Sequence, residues 1–435
     1  MKISLIQLGC PKNVVDGEWA LGTILSKGHI LTDYEDAEAV LINTCGFIDS
    51  AKEESLEAIL DCVERKKKGK LKKIVVFGCL SERYQKELEE EFPEVDGFFP
   101  LSALGQAEKM LSENPHKFKK GGLAIPDFYN KRFRITPLHY SYVKIGDGCG
   151  HKCSFCAIPL IRGKSVSRSR KGIIKELKLL AEEGVKEAIL VSQDTTSYGR
   201  EKEDSIANLL REIESVKTPK WIRLLYLYPT SITKEFIKIA SQSSKIVPYF
   251  DIPFQHASRS VLKAMNRGGD YRSYIKLIEK IRKEIPDSAI RSSFIVGFPN
   301  EKKEDFEELK RFLLEASLDH AGFFVYSNEE GTKAFKLKDS VSKEEKEERL
   351  AEVASIQEKI AKKKNAQKVG KKYEVLIEGF YEETELLLRG RTYFQAPDID
   401  GVTLINKGEC KKGEFYKVKI TKTIGYDILG EVVNE

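Results

Sequence analysis

The sequence predicts an α/β multidomain chain: a doubly wound parallel α/β unit, then an incomplete (β/α)6 barrel, then a small antiparallel β-barrel. Three observations predict it. Short apolar runs alternate with helical patterns from Met1 to about Asn328, as parallel strands joined by crossover helices do. Six strand-and-helix repeats follow one another in the middle of that stretch. Five short strands with Gly-containing connections close the chain. At 435 residues it exceeds one ordinary core, since domains average roughly 150 residues.

The first unit, 1–116, carries strands at 3–8, 39–43 and 73–77, each with a cysteine near its end: Leu8-Gly9-Cys10, Asn43-Thr44-Cys45-Gly46 and Phe77-Gly78-Cys79. Carboxyl ends of neighbouring parallel strands converge on one rim, where ligands bind, so three cysteines spaced 35 and 34 residues apart can meet there. A polar stretch, 117–137, punctuated by Gly and Pro, reads as a linker or lid. The second unit, 138–366, has strand-like runs at 141–145, 187–192, 222–228, 247–254, 289–296 and 322–326. Helical patterns separate them, including those at 172–183, 258–266, 271–284 and 303–316. Chemistry in such a barrel sits at the carboxyl ends of its strands. A charged helix over 342–368, with Leu350, Val353, Ile356 and Ile360 on one face, leads into the last unit, 367–435. Its strands are expected at 373–380, 385–389, 402–406, 415–421 and 428–433.

Charged residues are 32% of the chain and hydrophobic ones 41%, with no apolar run near the ~20 residues of a bilayer span. A soluble, cytoplasmic protein without membrane contact is expected. The stretch before Cys10 is too short for a signal-peptide core, although Leu8-Gly9-Cys10 superficially resembles a lipoprotein cleavage site. Eight cysteines in such a chain read as metal or redox ligands rather than disulfides. The net charge of +6, from 73 basic and 67 acidic groups, decides little about partners.

Cys149-Gly-His-Lys-Cys153-Ser-Phe-Cys156 follows the first barrel strand with ligand spacings of four and three. Three thiolates can hold three irons of a four-iron cube and leave the fourth open to chelate the amino and carboxylate groups of S-adenosylmethionine (SAM). The alternative is a structural zinc site using His151, although such sites normally close four ligands in C-x2-C pairs. Gly163-Lys164-Ser165 imitates the end of a phosphate-binding loop but lacks the upstream glycine, whose place Ile158 takes. Cys10, Cys45 and Cys79 would each pass alone for small buried hydrophobes; their shared setting at three strand ends suggests a second cluster with one iron free. Cys62, in a helix, and Cys410, in a Gly-flanked turn, read as packing residues.

The triple-cysteine loop resembles the radical SAM signature, with Phe155 in the place of the aromatic residue that packs near the adenine. Over essentially its whole length the chain resembles the methylthiotransferases, which join an N-terminal cluster domain, a radical SAM core and a TRAM domain. The motifs are Leu8-Gly9-Cys10-Pro11-Lys12-Asn13, Asn43-Thr44-Cys45-Gly46-Phe47-Ile48-Asp49, Gly78-Cys79-Leu80 and the triple-cysteine loop with Pro159 and Arg162-Gly163. Gln193-Asp194-Thr195-Thr196-Ser197-Tyr198-Gly199 and Gln255-His256-Ala257-Ser258 resemble the RimO branch, which modifies ribosomal protein S-twelve. The MiaB branch, which modifies tRNA, typically reads Gly-Gln-Asn-Val-Asn and Gln-Ser-Gly-Ser there.

The resemblance implies methylthiolation of the unactivated β-carbon of an aspartate, with two 4Fe-4S clusters, SAM and an external electron donor. One SAM supplies the methyl group; another is cleaved at the Cys149/Cys153/Cys156 cluster to a 5′-deoxyadenosyl radical that takes a substrate hydrogen. The auxiliary cluster on Cys10, Cys45 and Cys79 then presents the sulfur. No acid or base is nominated, because the cofactors carry the chemistry. Gln193 and Gly297 stand where the superfamily contacts SAM; for Gly297 a tight turn without a ligand explains the residue equally. His256 is a substrate candidate, or a hydrogen-bonded structural histidine. Arg291 suits a carboxylate of SAM or substrate, or a barrel ion pair.

From Lys371 to Glu435, ten Lys or Arg against twelve Asp or Glu leave a net of −2. An RNA-binding barrel needs a basic face, so a protein partner is favoured and RNA contact is secondary. Glu382, Glu383 and Glu385 are candidates to meet a basic ribosomal protein, or form a solvated acidic loop. The basic run 65–73 suits ribosomal RNA, or a solvated helix end. Two other functions stay open: a tRNA methylthiotransferase and a non-catalytic iron–sulfur carrier or sensor.

Overall fold

A parallel sheet opens the chain in the computed structural model, which describes residues 1–111, 125 and 132–433. β1 (Lys2–Gln7), α1 (Pro11–Leu25), β2 (Ile30–Leu31), β3 (Ala39–Thr44), α2 (Asp49–Lys67), β4 (Lys73–Gly78), α3 (Cys79–Glu91) and β5 (Gly97–Phe99) follow in order. The strands pair as β2-β1-β3-β4-β5, all parallel. Successive side chains face opposite ways. Ala39, Leu41, Val75 and Phe77 therefore pack with Leu21 and Ile24 of α1, while Val40, Ile42, Ile74 and Val76 pack with Ile59 and Val63 of α2 and Leu88 of α3. Helices cover both faces, the doubly wound arrangement the sequence predicts; β2 and β5 are edge strands beyond the three expected.

The middle unit holds β6 (Tyr140–Lys144), β7 (Gly146–Asp147), α4 (Ile158–Ile161), β8 (Val166–Ser167), α5 (Arg170–Glu182), β9 (Glu187–Val191), α6 (Ile206–Ser215), β10 (Trp221–Leu224), α7 (Lys234–Gln242), β11 (Tyr249–Asp251), α8 (Arg259–Ala264), α9 (Tyr271–Glu284), β12 (Ala289–Val296), α10 (Lys303–Ala316) and β13 (His320–Val325). Six parallel strands run β6-β9-β10 and β11-β12-β13. A parallel bridge between Ile222 and Ile246 joins the two halves. The antiparallel pair β7 and β8 brackets the triple-cysteine loop. α11 (Lys343–Ala366) buries Val353 and Ile360 in the barrel core, with Leu350 and Ile356 beside them, as their spacing predicts.

β14 (Lys372–Tyr381), β15 (Thr384–Arg391), β16 (Thr403–Lys407), β17 (Phe415–Ile424) and β18 (Asp427–Val432) close a barrel. It departs from the expected antiparallel barrel in one pairing, since β16 and β18 run parallel. The segment before β16 plugs the N-terminal mouth of the middle barrel. Asp398 accepts from the hydroxyls of Tyr140 (3.3 Å) and Tyr142 (3.4 Å), Asp400 accepts from Tyr249 (2.6 Å), and Arg223 donates to the Tyr393 carbonyl (2.7 Å). That leaves the carboxyl ends of the strands for the cysteines.

Most of the expected linker, 117–137, lies outside the described residues. Its last part is tied down: Glu18 of α1 accepts from the amides of Ile135 (2.8 Å) and Thr136 (3.1 Å), and Arg132 bridges Glu18 to Glu176 of α5. Among the described residues no helix is long and apolar enough to cross a membrane.

Candidate functional site

Three strand ends of the first sheet meet around one side chain. Asn13 places its Oδ1 between the thiols of Cys10 (3.9 Å) and Cys79 (3.4 Å) and donates from Nδ2 to the carbonyl of Thr44, the neighbour of Cys45. Glycines permit the approach. A Cβ on Gly9, whose φ is +86°, would lie 3.1 Å from the Cys45 Cβ, and one on Gly78, φ +105°, would lie 2.4 Å from the Thr44 carbonyl oxygen. Cys10, Cys45 and Cys79 are thus gathered at one rim.

Burial opposes ionisation of the Cys10 thiol, but the Lys12 ammonium, Arg162 and the first-turn amides of Asn13 and Lys12 hold it below its ordinary value. Burial pushes the Cys45 thiol up to about 12, helped by Cys79. The Cys79 thiol is also raised, burial outweighing the Arg162 guanidinium that donates to its Sγ at 3.3 Å.

The second triad lies beyond β6. Its loop is pinned by the Ser154 amide to the Met265 carbonyl (2.9 Å), the Ser154 hydroxyl to the Ala264 carbonyl (2.8 Å) and the Asn266 amide group to the Lys152 carbonyl (2.7 Å). Burial pushes the thiols of Cys149 to about 11 and Cys156 to about 12. Arg267 donates to Cys153 Sγ at 3.5 Å. The donor chemistry of both sets, three thiols each, fits iron: thiols become thiolates when a metal cation binds them. The zinc alternative would call on His151 beside these cysteines. His151 is otherwise engaged, bonded to Asp194 (2.6 Å) and stacked 3.7 Å from the Tyr228 ring, which also lies against Arg267.

A short segment joins the triads. Ala157, next to Cys156, and Ile161 pack directly on Cys79. Arg162 follows, buried, donating to Asp16 (2.7 Å), Asp147 (2.8 Å) and Asn13 (2.6 Å) as well as to Cys79. Lys144 pairs with the same two aspartates, and Gln193 donates to Asp147 at 2.7 Å. An unbroken chain of contacts therefore runs from Cys79 through Arg162 and Asp147 to Gln193. On another flank, Arg83 and Lys52 of the first unit pair with Glu329 beyond β13 (2.6 and 3.0 Å). Sequence reasoning missed the parts played by Asn13, Asp16, Asp147 and Arg267; Asn13 and Arg162 were visible only as motif letters.

The other candidates divide. Phe155 packs, half-buried, with Val261, Met265, Phe298 and Tyr326. Gln193 Oε1 is buried without a hydrogen-bond partner among the described residues. Gly297 has φ +71°, and a Cβ there would strike the Lys346 stem at 2.2 Å, which a turn packed on α11 already explains. Arg291 pairs with Asp251 (3.0 Å) and Asp400 of the plug (3.5 Å), the barrel ion pair. Glu382 and Glu383 form the exposed turn between β14 and β15, with Glu385 and Leu386 beyond it. The basic run has local partners: Arg65 with Glu35, Lys66 with Asp96, Lys67 with Glu94 and Lys72 with Glu38.

His256 does not face an opening. It is 0% exposed, its Nδ1 accepts from the Ser258 amide at 3.0 Å, and its Nε2 lies 3.8 Å from Glu301. Burial lowers its pKa to about 3, Asp305 opposing and Arg349 assisting. A histidine whose folded pKa lies below its unfolded value costs stability as pH falls beneath ~6.5, by up to about 1.4 kcal/mol per unit. Between pH 7 and 5 the protein is expected to lose about 2 kcal/mol more than its His256→Gln variant, measured as urea midpoints. Equal losses would refute the assignment.

Residues 143–313 match the radical SAM superfamily, 2–100 the uncharacterized protein family UPF0004, and 369–433 the TRAM domain. The chain is 46% identical over 434 residues to a ribosomal protein uS12 methylthiotransferase RimO of Aquifex aeolicus, covering 99% of this chain and 97% of that one. It is 44% identical over 440 residues to the protein of the same name from Alkaliphilus oremlandii, covering all of both. In fold it is similar to the radical SAM methyltransferase TsrM of Kitasatospora setae, with a TM-score of 0.56 at 12% identity over 74% of this chain and 72% of that one.

Proposed function

The chain belongs to the RimO-type methylthiotransferase family of radical SAM enzymes, and we propose that it adds a methylthio group to the β-carbon of an aspartate of ribosomal protein uS12 in the cytoplasm. Cys149, Cys153 and Cys156 hold the SAM-binding cluster in this reading, and Cys10, Cys45 and Cys79 the auxiliary one. The observation that carries it is the packing of Cys79 on Ala157, the residue after Cys156, which brings one member of each triad to the same short segment. When bound, the clusters and SAM supply an electron from an external donor, a carbon radical, the sulfur and the methyl group. The protein's own residues position them. Arg162 and Asn13 fix Cys79 and Cys10, Arg267 fixes Cys153, Phe155 offers an apolar wall, and the free Oε1 of Gln193 can accept a hydrogen bond from a bound group.

The acidic turn at Glu382, Glu383 and Glu385 supports a basic protein as the main partner by charge complementarity, and the local pairing of Arg65, Lys66, Lys67 and Lys72 fits a solvated helix end, which leaves RNA contact secondary. Deleting the gene is expected to remove a methylthio mass from ribosomal protein uS12 and leave tRNA unchanged, read by mass spectrometry of both. Loss from tRNA alone would overturn the proposal.

A further inference from the structure

We propose that Lys12 receives the side-chain carboxylate of the target aspartate and so positions the carbon to be modified; this rests on the reading that the substrate is an aspartate. Lys12 lies in the first turn of α1, two residues after Cys10. It is only 7% exposed, and its Nζ stands 3.5 Å from the centroid of the Tyr226 ring. Among the described residues no carboxylate lies within ion-pair distance of it. The neighbouring buried cations Lys144 and Arg162 differ, for they share Asp16 and Asp147. An ammonium largely withdrawn from water with no carboxylate beside it is costly, and one aromatic face with the nearby Cys10 sulfur offsets only part of that. A carboxylate from outside the chain completes the site.

The position suits this role. Tyr226 follows β10 at the carboxyl rim of the barrel and holds a left-handed backbone, φ +62°, which a bulky residue adopts only when its surroundings impose it. The surroundings do: its amide donates to Asp251 Oδ2 at 2.9 Å and its carbonyl accepts from the Thr195 amide at 3.0 Å. Thr195 belongs to the loop that begins at Gln193. Lys12 thus reaches from the Cys10 side across to the barrel rim. In aspartate the β-carbon is bonded directly to the carboxylate carbon, so an anchored carboxylate fixes the reacting carbon. Glutamate would set its β-carbon one bond further off, and asparagine would offer no charge.

The test uses the holoenzyme, reconstituted with iron and sulfide, titrated with ribosomal protein uS12 and with the same protein carrying Asn at the modified aspartate. The wild type is expected to bind the aspartate form roughly ten- to hundredfold tighter, the worth of one charge-assisted hydrogen bond. Lys12→Met is expected to bind both forms alike, and Lys12→Arg to regain part of the preference. A purely structural role for Lys12 would weaken both forms in step and leave their ratio unchanged, so an unchanged ratio in Lys12→Met overturns the assignment. A wild type without preference for the aspartate form overturns it too. Product mass, followed in the same samples, judges the methylthiolation reading separately.

Discussion

Replacing Arg162 by methionine is expected to destabilise the protein by about 3–5 kcal/mol, the usual cost of removing one partner from a buried ionic cluster. The guanidinium is almost wholly buried and satisfies two carboxylates, Asp16 at 2.7 Å and Asp147 at 2.8 Å. Without it, Lys144 alone faces both. Burial opposes the charge on Asp147, yet Arg162 first and Lys144 second hold its carboxyl well below the usual range, so the charge depends on them. Adding Asp16→Asn to the methionine variant is expected to restore most of the stability, because it leaves the balanced pair of Lys144 and Asp147. Arg162→Lys keeps a charge but not the fork that also reaches Asn13 and Cys79, and should recover only part. Urea midpoints of the four proteins test this. Equal midpoints for wild type and Arg162→Met would show that the cluster contributes nothing to stability.

Local patterns made most of the architecture legible. Period-two alternation in β3 and β4 is what divides the first core into two faces, and the spacing of Leu350, Val353, Ile356 and Ile360 is what seats α11. α6 and α7 fall between strands where the six repeats require helices, and Ile206, Leu209, Leu210 and Ile213 carry helical spacing behind the Ser205 cap. Two-residue strands such as β7 and β8 hold no period to read. Pairings between distant segments are illegible for another reason: nothing near β16 announces that β18 will lie parallel to it, or that Asp398 and Asp400 will plug the barrel. Arg291 shows the consequence. Its residue type suits a carboxylate ligand, but the carboxylates it meets belong to the barrel and the plug. At the site the cysteines were legible from spacing and strand ends, whereas Asn13, Asp16 and Asp147 gain their meaning only when the first sheet folds onto the barrel.

The two triads should separate by function. Cys45→Ala is expected to retain about half of the iron, one cluster of two, to keep forming 5′-deoxyadenosine from SAM, and to yield no methylthiolated product. Cys153→Ala is expected to lose both. The difference follows from position: Cys45 stands at the rim of the first sheet beside Gly9, while Cys153 sits in the barrel loop under Arg267. The Cys45 thiol, pushed up to about 12 by burial and then by Cys79, is a poor thiolate unless a metal cation offsets the charge. Its replacement should therefore remove a metal ligand rather than a catalytic acid. Cys62 is the control, for it is fully buried but lies in α2 against Tyr34 at 3.4 Å, and Cys62→Ala should leave iron and product unchanged. Iron analysis, chromatography of the nucleoside and mass spectrometry of the ribosomal protein read the three outcomes. Full iron and full product in Cys45→Ala would mean that Cys10, Cys45 and Cys79 do not act as a set.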